Sequence, residues 1–195
     1  RRRPRPCPAR PWPCRPTSPT PRPRDGWPRR PSTASAACTC WSPTPAGPPP
    51  ARALEVDDQA LQAALQANLL SSIRLVQAAL PQMRAAGWGR ICLITSKAVK
   101  EPIPTLALSN TARTGLWAWA KTAAADLFDE GITLNLACPG THDTDRARQA
   151  GMVGDGPVGD PADFGKVVCF LCSAPARFVS GTALQVDGAT TRGLL

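Results

Sequence analysis

The sequence predicts an α/β fold, a parallel sheet covered by helices, and three observations lead there. From Ala51 onward, amphipathic helical stretches alternate with short, wholly apolar runs. The links between them are short. The apolar runs lead into Thr95-Ser96, Pro139-Gly140 and Asp187-Gly188, and ligands of such sheets bind beyond the carboxyl ends of the strands.

Each element has its own local signal. Glu55-Val56-Asp57-Asp58 opens a helix, since acids are favourable in a first turn. Leu61, Leu65, Leu69, Ile73, Val76, Leu80 and Met83 then recur at three- and four-residue spacing, which carries that helix to about Ala86. Gly87 and Gly89 end it. Ile91 to Ile94 is apolar throughout, as a strand buried on both faces requires. A second helix is expected over about 106–129, with Ala112, Leu116, Ala120, Ala123 and Leu127 on one face. Gly131 stops it, and a strand follows from Ile132 to Cys138. A third helix over about 161–172 leads to a last strand, Ala183 to Val186. Trp117 and Trp119 lie two apart on the second helix and cannot share a face. One is expected in the core and the other in an oligomer contact.

Composition divides the chain sharply. Residues 1–53 hold eleven of the 23 Lys and Arg, all arginine, against the single acid Asp25. The remainder carries twelve basic and thirteen acidic side chains, so the sequence pI near 9.7 belongs to the first quarter. Sixteen of the 23 prolines lie in residues 1–50, where neither helical nor strand periodicity is visible. Among eight cysteines, Cys92, Cys138, Cys169 and Cys172 sit in apolar runs and read as small hydrophobes. Cys169 and Cys172 form a CxxC with no second pair, and His142 is the chain's one histidine, so no metal site is expected. No apolar run is long enough to span a membrane and no apolar run follows the N-terminal arginines, which makes a cytoplasmic protein the expectation.

Residues 1–47 admit three readings: a basic arm binding nucleic acid through phosphates, a proline-rich linker, or a stretch translated out of frame. The third makes a specific match. Cys40 to Ala46 can be back-translated as TGC TGG TCA CCA ACG CCG GCG, which from its third base reads Leu-Val-Thr-Asn-Ala-Gly. The domain division expected is an Arg/Pro-rich disordered or out-of-frame segment at 1–47, then a folded part at 48–195.

Asn68 in Gln66-Ala67-Asn68-Leu69-Leu70, the run Gly89-Arg90-Ile91 to Thr95-Ser96, Asn135 to Gly140, Thr144, and Val179-Ser180-Gly181 with Val186-Asp187-Gly188 stand in a telling order. Together these motifs resemble the short-chain dehydrogenase/reductase family, its 3-oxoacyl-acyl-carrier-protein-reductase-like branch, over about residues 47–195. The resemblance implies an α/β Rossmann-type parallel sheet with flanking helices, incomplete because its N-terminal βαβ units are absent. It implies that Ser96 holds the substrate oxygen and Asn68 a proton-relay water. Pro139 and Gly140 form the cofactor-side turn, and Thr144 bonds the nicotinamide carboxamide.

Two departures qualify that reading. The family's tyrosine, thirteen residues after the serine, falls on Ser109, and its lysine, four further on, falls on Arg113; the chain has no tyrosine at all. A phenol with a pKa near 10 can be tuned to exchange a proton at neutral pH, whereas a serine hydroxyl is a far weaker acid. Arginine keeps the charge but not the donor geometry of lysine. The family's glycine-rich phosphate loop is also missing, since Gly154-Asp155-Gly156-Pro157-Val158-Gly159 follows no strand and contains a proline.

The resemblance therefore implies an NAD- or NADP-dependent reduction of a small-molecule carbonyl or oxidation of an alcohol, with the chain inactive as it stands and its cofactor binding in doubt. It also implies a homo-oligomer, dimer or tetramer, when complete, with about 57–86 and 106–129 as the pairing helices. A non-catalytic scaffold is the first alternative, and nucleic-acid binding through the basic arm the second, less favoured one. The substrate loop, about 141–160, does not reveal the substrate.

Overall fold

A computed structural model of the chain describes residues 38–41 and 47–193. Its sheet has four parallel strands in sequence order: β1 (Cys38–Trp41), β2 (Gly89–Ile94), β3 (Ile132–Pro139) and β4 (Ala183–Val186). Ile91 stands beside Thr39 on one side and Leu134 on the other, and Leu136 beside Ala183. The helices are α1 (Asp58–Leu65) continued through a π-helical turn (Gln66–Leu70) into α2 (Ser71–Ala86), then α3 (Ala107–Phe128), α4 (Asp145–Gln149) and α5 (Pro161–Leu171). Strand β1 lies where the sequence shows no periodicity. The rest of residues 1–47, apart from Gly47, lies outside the described residues, and so does any interface the arginine-rich stretch would form.

Successive residues of a strand face opposite sides of the sheet, and that alternation sorts the core. Ile91, Leu93, Leu134, Leu136 and Cys138 pack with Val76 and Met83 of α2 and with Leu116, Ala120, Ala124 and Leu127 of α3. Cys92 and Ala137 face the other way and meet Val168, Leu171 and Cys172 at α5. Helix α5 thus covers the opposite face from α2 and α3, so the last crossover has the opposite hand to the one before it. Trp117 and Trp119 flank the buried stripe of α3, one on each side, and both pack partly buried against the same cluster. Both edges of the stripe therefore meet the core.

The expected single helix from Glu55 to Ala86 begins after a 3-10 turn (Ala53–Glu55) and is interrupted by the π-turn. The spacing itself accounts for the interruption. Leu61, Leu65, Leu69 and Ile73 are each four apart, and on an ideal helix every such step drifts about 40°, roughly 120° in all. One residue accommodated in a wider turn takes back about 100°, and Leu69 and Ile73 pack against the core. The carbonyls that lose their usual partners there are met by side chains. Ser71 N donates to Gln66 O, five residues back, while its hydroxyl donates to Ala67 O at 2.5 Å. Asn68 Nδ2 donates to Ala64 O at 3.2 Å.

At the amino ends of the strands, Arg90 is 3% exposed and its guanidinium lies 4.8 Å from the centre of the Trp88 ring. It donates to Gly89 O at 2.7 Å, Gly131 O at 3.0 Å and Ser173 O at 3.2 Å. Asn135, fully buried in β3, donates to Val179 O and accepts from Thr182 N, which fixes the approach to β4.

Candidate active site

The carboxyl ends of β2 and β3 are held side by side by Thr95, whose N–H donates to Ala137 O at 2.8 Å and whose hydroxyl lies 3.2 Å from Cys138 Sγ. Ser96 follows in an extended conformation and caps the 3-10 turn Lys97–Val99, its Oγ accepting from Ala98 N at 3.2 Å. That bond uses a lone pair and leaves the hydroxyl proton available to a ligand oxygen.

Helix α3 brings the next two candidates to this rim. Ser109 and Arg113 are one turn apart and so share a face. Ser109 lies on the stripe with Ala112, Leu116 and Ala120 and is 7% exposed. Arg113 reaches back to β2, its Nη1 donating to Thr95 O at 3.1 Å, beside Ser96. Burial first, and then the charge of Arg146, hold its pKa below the ordinary arginine range. Asn68, 5% exposed, sits in the π-turn that packs on α3. Its Nδ2 is engaged with Ala64 O, which leaves Oδ1 as the atom able to accept from a water. π-turns of this kind are found disproportionately at functional sites.

The cofactor-side candidates separate. Pro139 ends β3 beside Val186, and Gly140 N donates to Val186 O at 3.0 Å. A Cβ on Gly140 would stand 2.8 Å from Asp187 Cα, so glycine is required there by the approach of the two strand ends. Thr144 is exposed and caps α4, accepting from Ala147 N at 3.2 Å. Its hydroxyl proton is left over, as at Ser96. His142 and Gly159 close the base of the intervening loop: Asp143 N donates to Gly159 O and Gly159 N to Thr141 O, both at 2.9 Å. Gly154 to Gly159 lies within this loop, between α4 and α5, with no strand before it.

Two residues passed over in the sequence belong to the rim. Lys97 Nζ donates to Thr190 Oγ1 at 3.1 Å, linking the Ser96 turn to the turn after β4. Its signal was adjacency to Ser96. Arg146 had no signal, because only the fold sets its guanidinium beside Gly47. Among the described residues no group of three or more His, Cys, Asp or Glu could hold a metal ion. Cys169 is exposed and Cys172 buried, so the two do not present themselves together. No described helix is long and apolar enough to cross a membrane.

The family model described as enoyl-(acyl carrier protein) reductase matches residues 44–191. The chain belongs to the short-chain dehydrogenase/reductase family. Among its curated relatives, the pig dehydrogenase/reductase SDR family member 4 is 28% identical over 67% of this chain and 50% of its own length. The 3-oxoacyl-[acyl-carrier-protein] reductase MabA of Mycobacterium tuberculosis is 30% identical over 72% of this chain and 60% of its own. The crystal structure of the TT0495 protein from Thermus thermophilus superposes with a TM-score of 0.64 at 29% identity, covering 71% of this chain and 64% of that one. This chain thus spans about half to three-fifths of the curated relatives it matches, and its sheet is part of a Rossmann-type sheet.

Proposed function

We propose that this chain carries the carbonyl–alcohol site of its family with substrate positioning kept and proton transfer lost. The observation that carries the reading is the buried serine at position 109, on the helix face where the family has a phenol. Ser96 donates its free hydroxyl proton to the substrate oxygen, and Asn68 Oδ1 holds a water near α3. No side chain at 109 can then deliver a proton as a tuned phenol does. Arg113, hydrogen bonded to Thr95 O, supplies positive charge without the single-point donor of a lysine.

The nicotinamide end of NAD or NADP fits the residues present, since Thr144 keeps a hydroxyl proton for a carboxamide oxygen beside the Pro139-Gly140 turn. The described residues include no glycine-rich turn between a strand and a helix to take the diphosphate. Bound NAD(P) would supply or accept the hydride. The mycobacterial relative's name makes a 3-oxoacyl thioester the carbonyl to assay first. Assembly as a homo-oligomer through the α1–α2 and α3 helices is part of the same proposal.

The test compares a version with the frame restored upstream of Gly47 and the same version carrying Ser109→Tyr with Arg113→Lys. NADPH fluorescence should report binding in both, and turnover in the double variant should be higher by on the order of 10²–10⁴. Equal turnover in the two versions sinks the proposal.

A further inference from the structure

After β4 the chain folds back on the carboxyl rim. Asp187 draws the next residues into a tight turn, its carboxylate accepting from Ala189 N at 3.1 Å, Thr191 N at 2.8 Å and the Thr191 hydroxyl at 2.6 Å. Gly188 and Ala189 take positive φ, 63° and 60°. Among the described residues Ala189 is the one non-glycine that does so, in a region that L side chains rarely adopt. Residues 190–192, turned back in this way, reach the turn that carries Ser96.

Two hydrogen bonds tie them to it. Lys97 Nζ donates to Thr190 Oγ1 at 3.1 Å, and Arg192 N donates to Glu101 Oε2 at 2.8 Å. Both ties leave from one turn, since Glu101 N donates back to Lys97 O at 3.2 Å. On its other side the segment meets the loop between α4 and α5, where a Cβ on Gly188 would stand 3.0 Å from Pro157 Cβ. None of residues 187–192 is buried. Polar side-chain bonds hold them, each worth little net against water. Strand β4 just before is laid into the ladder with β3. A segment secured only in this way opens at a small fraction of the free energy that unfolds the sheet.

We propose that residues 188–192 form a strap over the serine turn, latched by the Lys97–Thr190 and Glu101–Arg192 bonds, which opens as a unit with the sheet intact and governs access to Ser96. The strap takes from the proposed function only the place of Ser96. Access to that position can be read without hydride transfer, so the two readings fail separately.

The test begins with amide exchange on the full chain. Thr190→Val cuts one latch without changing any charge. It should speed exchange of the Arg192 amide, at the other latch, roughly three- to tenfold, and leave the Leu136 amide of β3 unchanged. Access is then read by alkylating Ser96→Cys with iodoacetamide and following position 96 by peptide mass, because Cys169 is exposed as well. Adding Thr190→Val or Glu101→Ala should raise the labelling rate at position 96 by a similar factor. The strap is overturned if Thr190→Val leaves Arg192 exchange unmoved or if neither added change alters labelling at position 96. It is overturned too if Leu136 exchange accelerates equally, which would make the opening global.

Discussion

The two ends of the sheet each hold a desolvated arginine, and they are used in opposite ways. At the amino end, Arg90 spends its donors on three backbone carbonyls and lies by the Trp88 ring. At the carboxyl end, Arg113 has one carbonyl and a like charge for company. Burial lowers the pKa of both, and a second arginine adds to it in each case, Arg177 for Arg90 and Arg146 for Arg113. The difference lies in satisfaction. Arg90 engages three backbone carbonyls and Arg113 one, so more of the Arg113 donors are left to a ligand. The amino rim is accordingly a structural staple, and the carboxyl rim is where chemistry can occur.

Substitution at each end tests that contrast. Arg90→Met should destabilise the protein most, by about 2–4 kcal/mol, because it removes three hydrogen bonds at once, two of them buried. Urea unfolding gives the value directly. Arg113→Met should change stability by less than about 1 kcal/mol, since it removes one hydrogen bond and one repulsion at once. Equal losses from the two changes would break the comparison and make Arg113 a second staple.

The smallest effect sharpens the picture of the carboxyl rim. Burial pushes the Asp187 carboxyl up, but hydrogen bonds from Thr191, Thr190 and Ala189 outweigh it and hold the pKa below the usual carboxylate range. A carboxyl depressed on folding contributes stability above its unfolded pKa of about 4 and loses it as pH falls through the folded value. Asp187→Asn should therefore flatten the fall in stability below about pH 4. Urea midpoints measured between neutral and acid pH would show it, and an unchanged acid limb would mean the turn holds without the charge.

Much of the architecture was legible because burial writes itself into period. The strand Ala183–Val186 falls where its apolar run stands, and α3 lies within a residue of its expected ends. The π-turn was not read, although the four-residue steps from Leu61 to Ile73 contain it. Strand β1 was not legible either: Cys38 to Trp41 has no alternation, and it is a strand because β2 offers a parallel edge. Motif order pointed to Ser96, Asn68 and the Pro139-Gly140 turn, while Lys97 and Arg146 gave no comparable signal.

By itself, the sequence determined the α/β class, the family and the absence of any tyrosine, since those depend on residue identity and spacing along the chain. Only the tertiary structure decided that Ser109 is buried, that Thr144 caps α4 and that Gly140 is demanded by Asp187. It alone set the Arg146 guanidinium against the backbone of Gly47, ninety-nine residues away in sequence. Burial and electrostatic pairing are properties of distance in space, and spacing along a chain does not encode them until the strands have set which loop ends are neighbours.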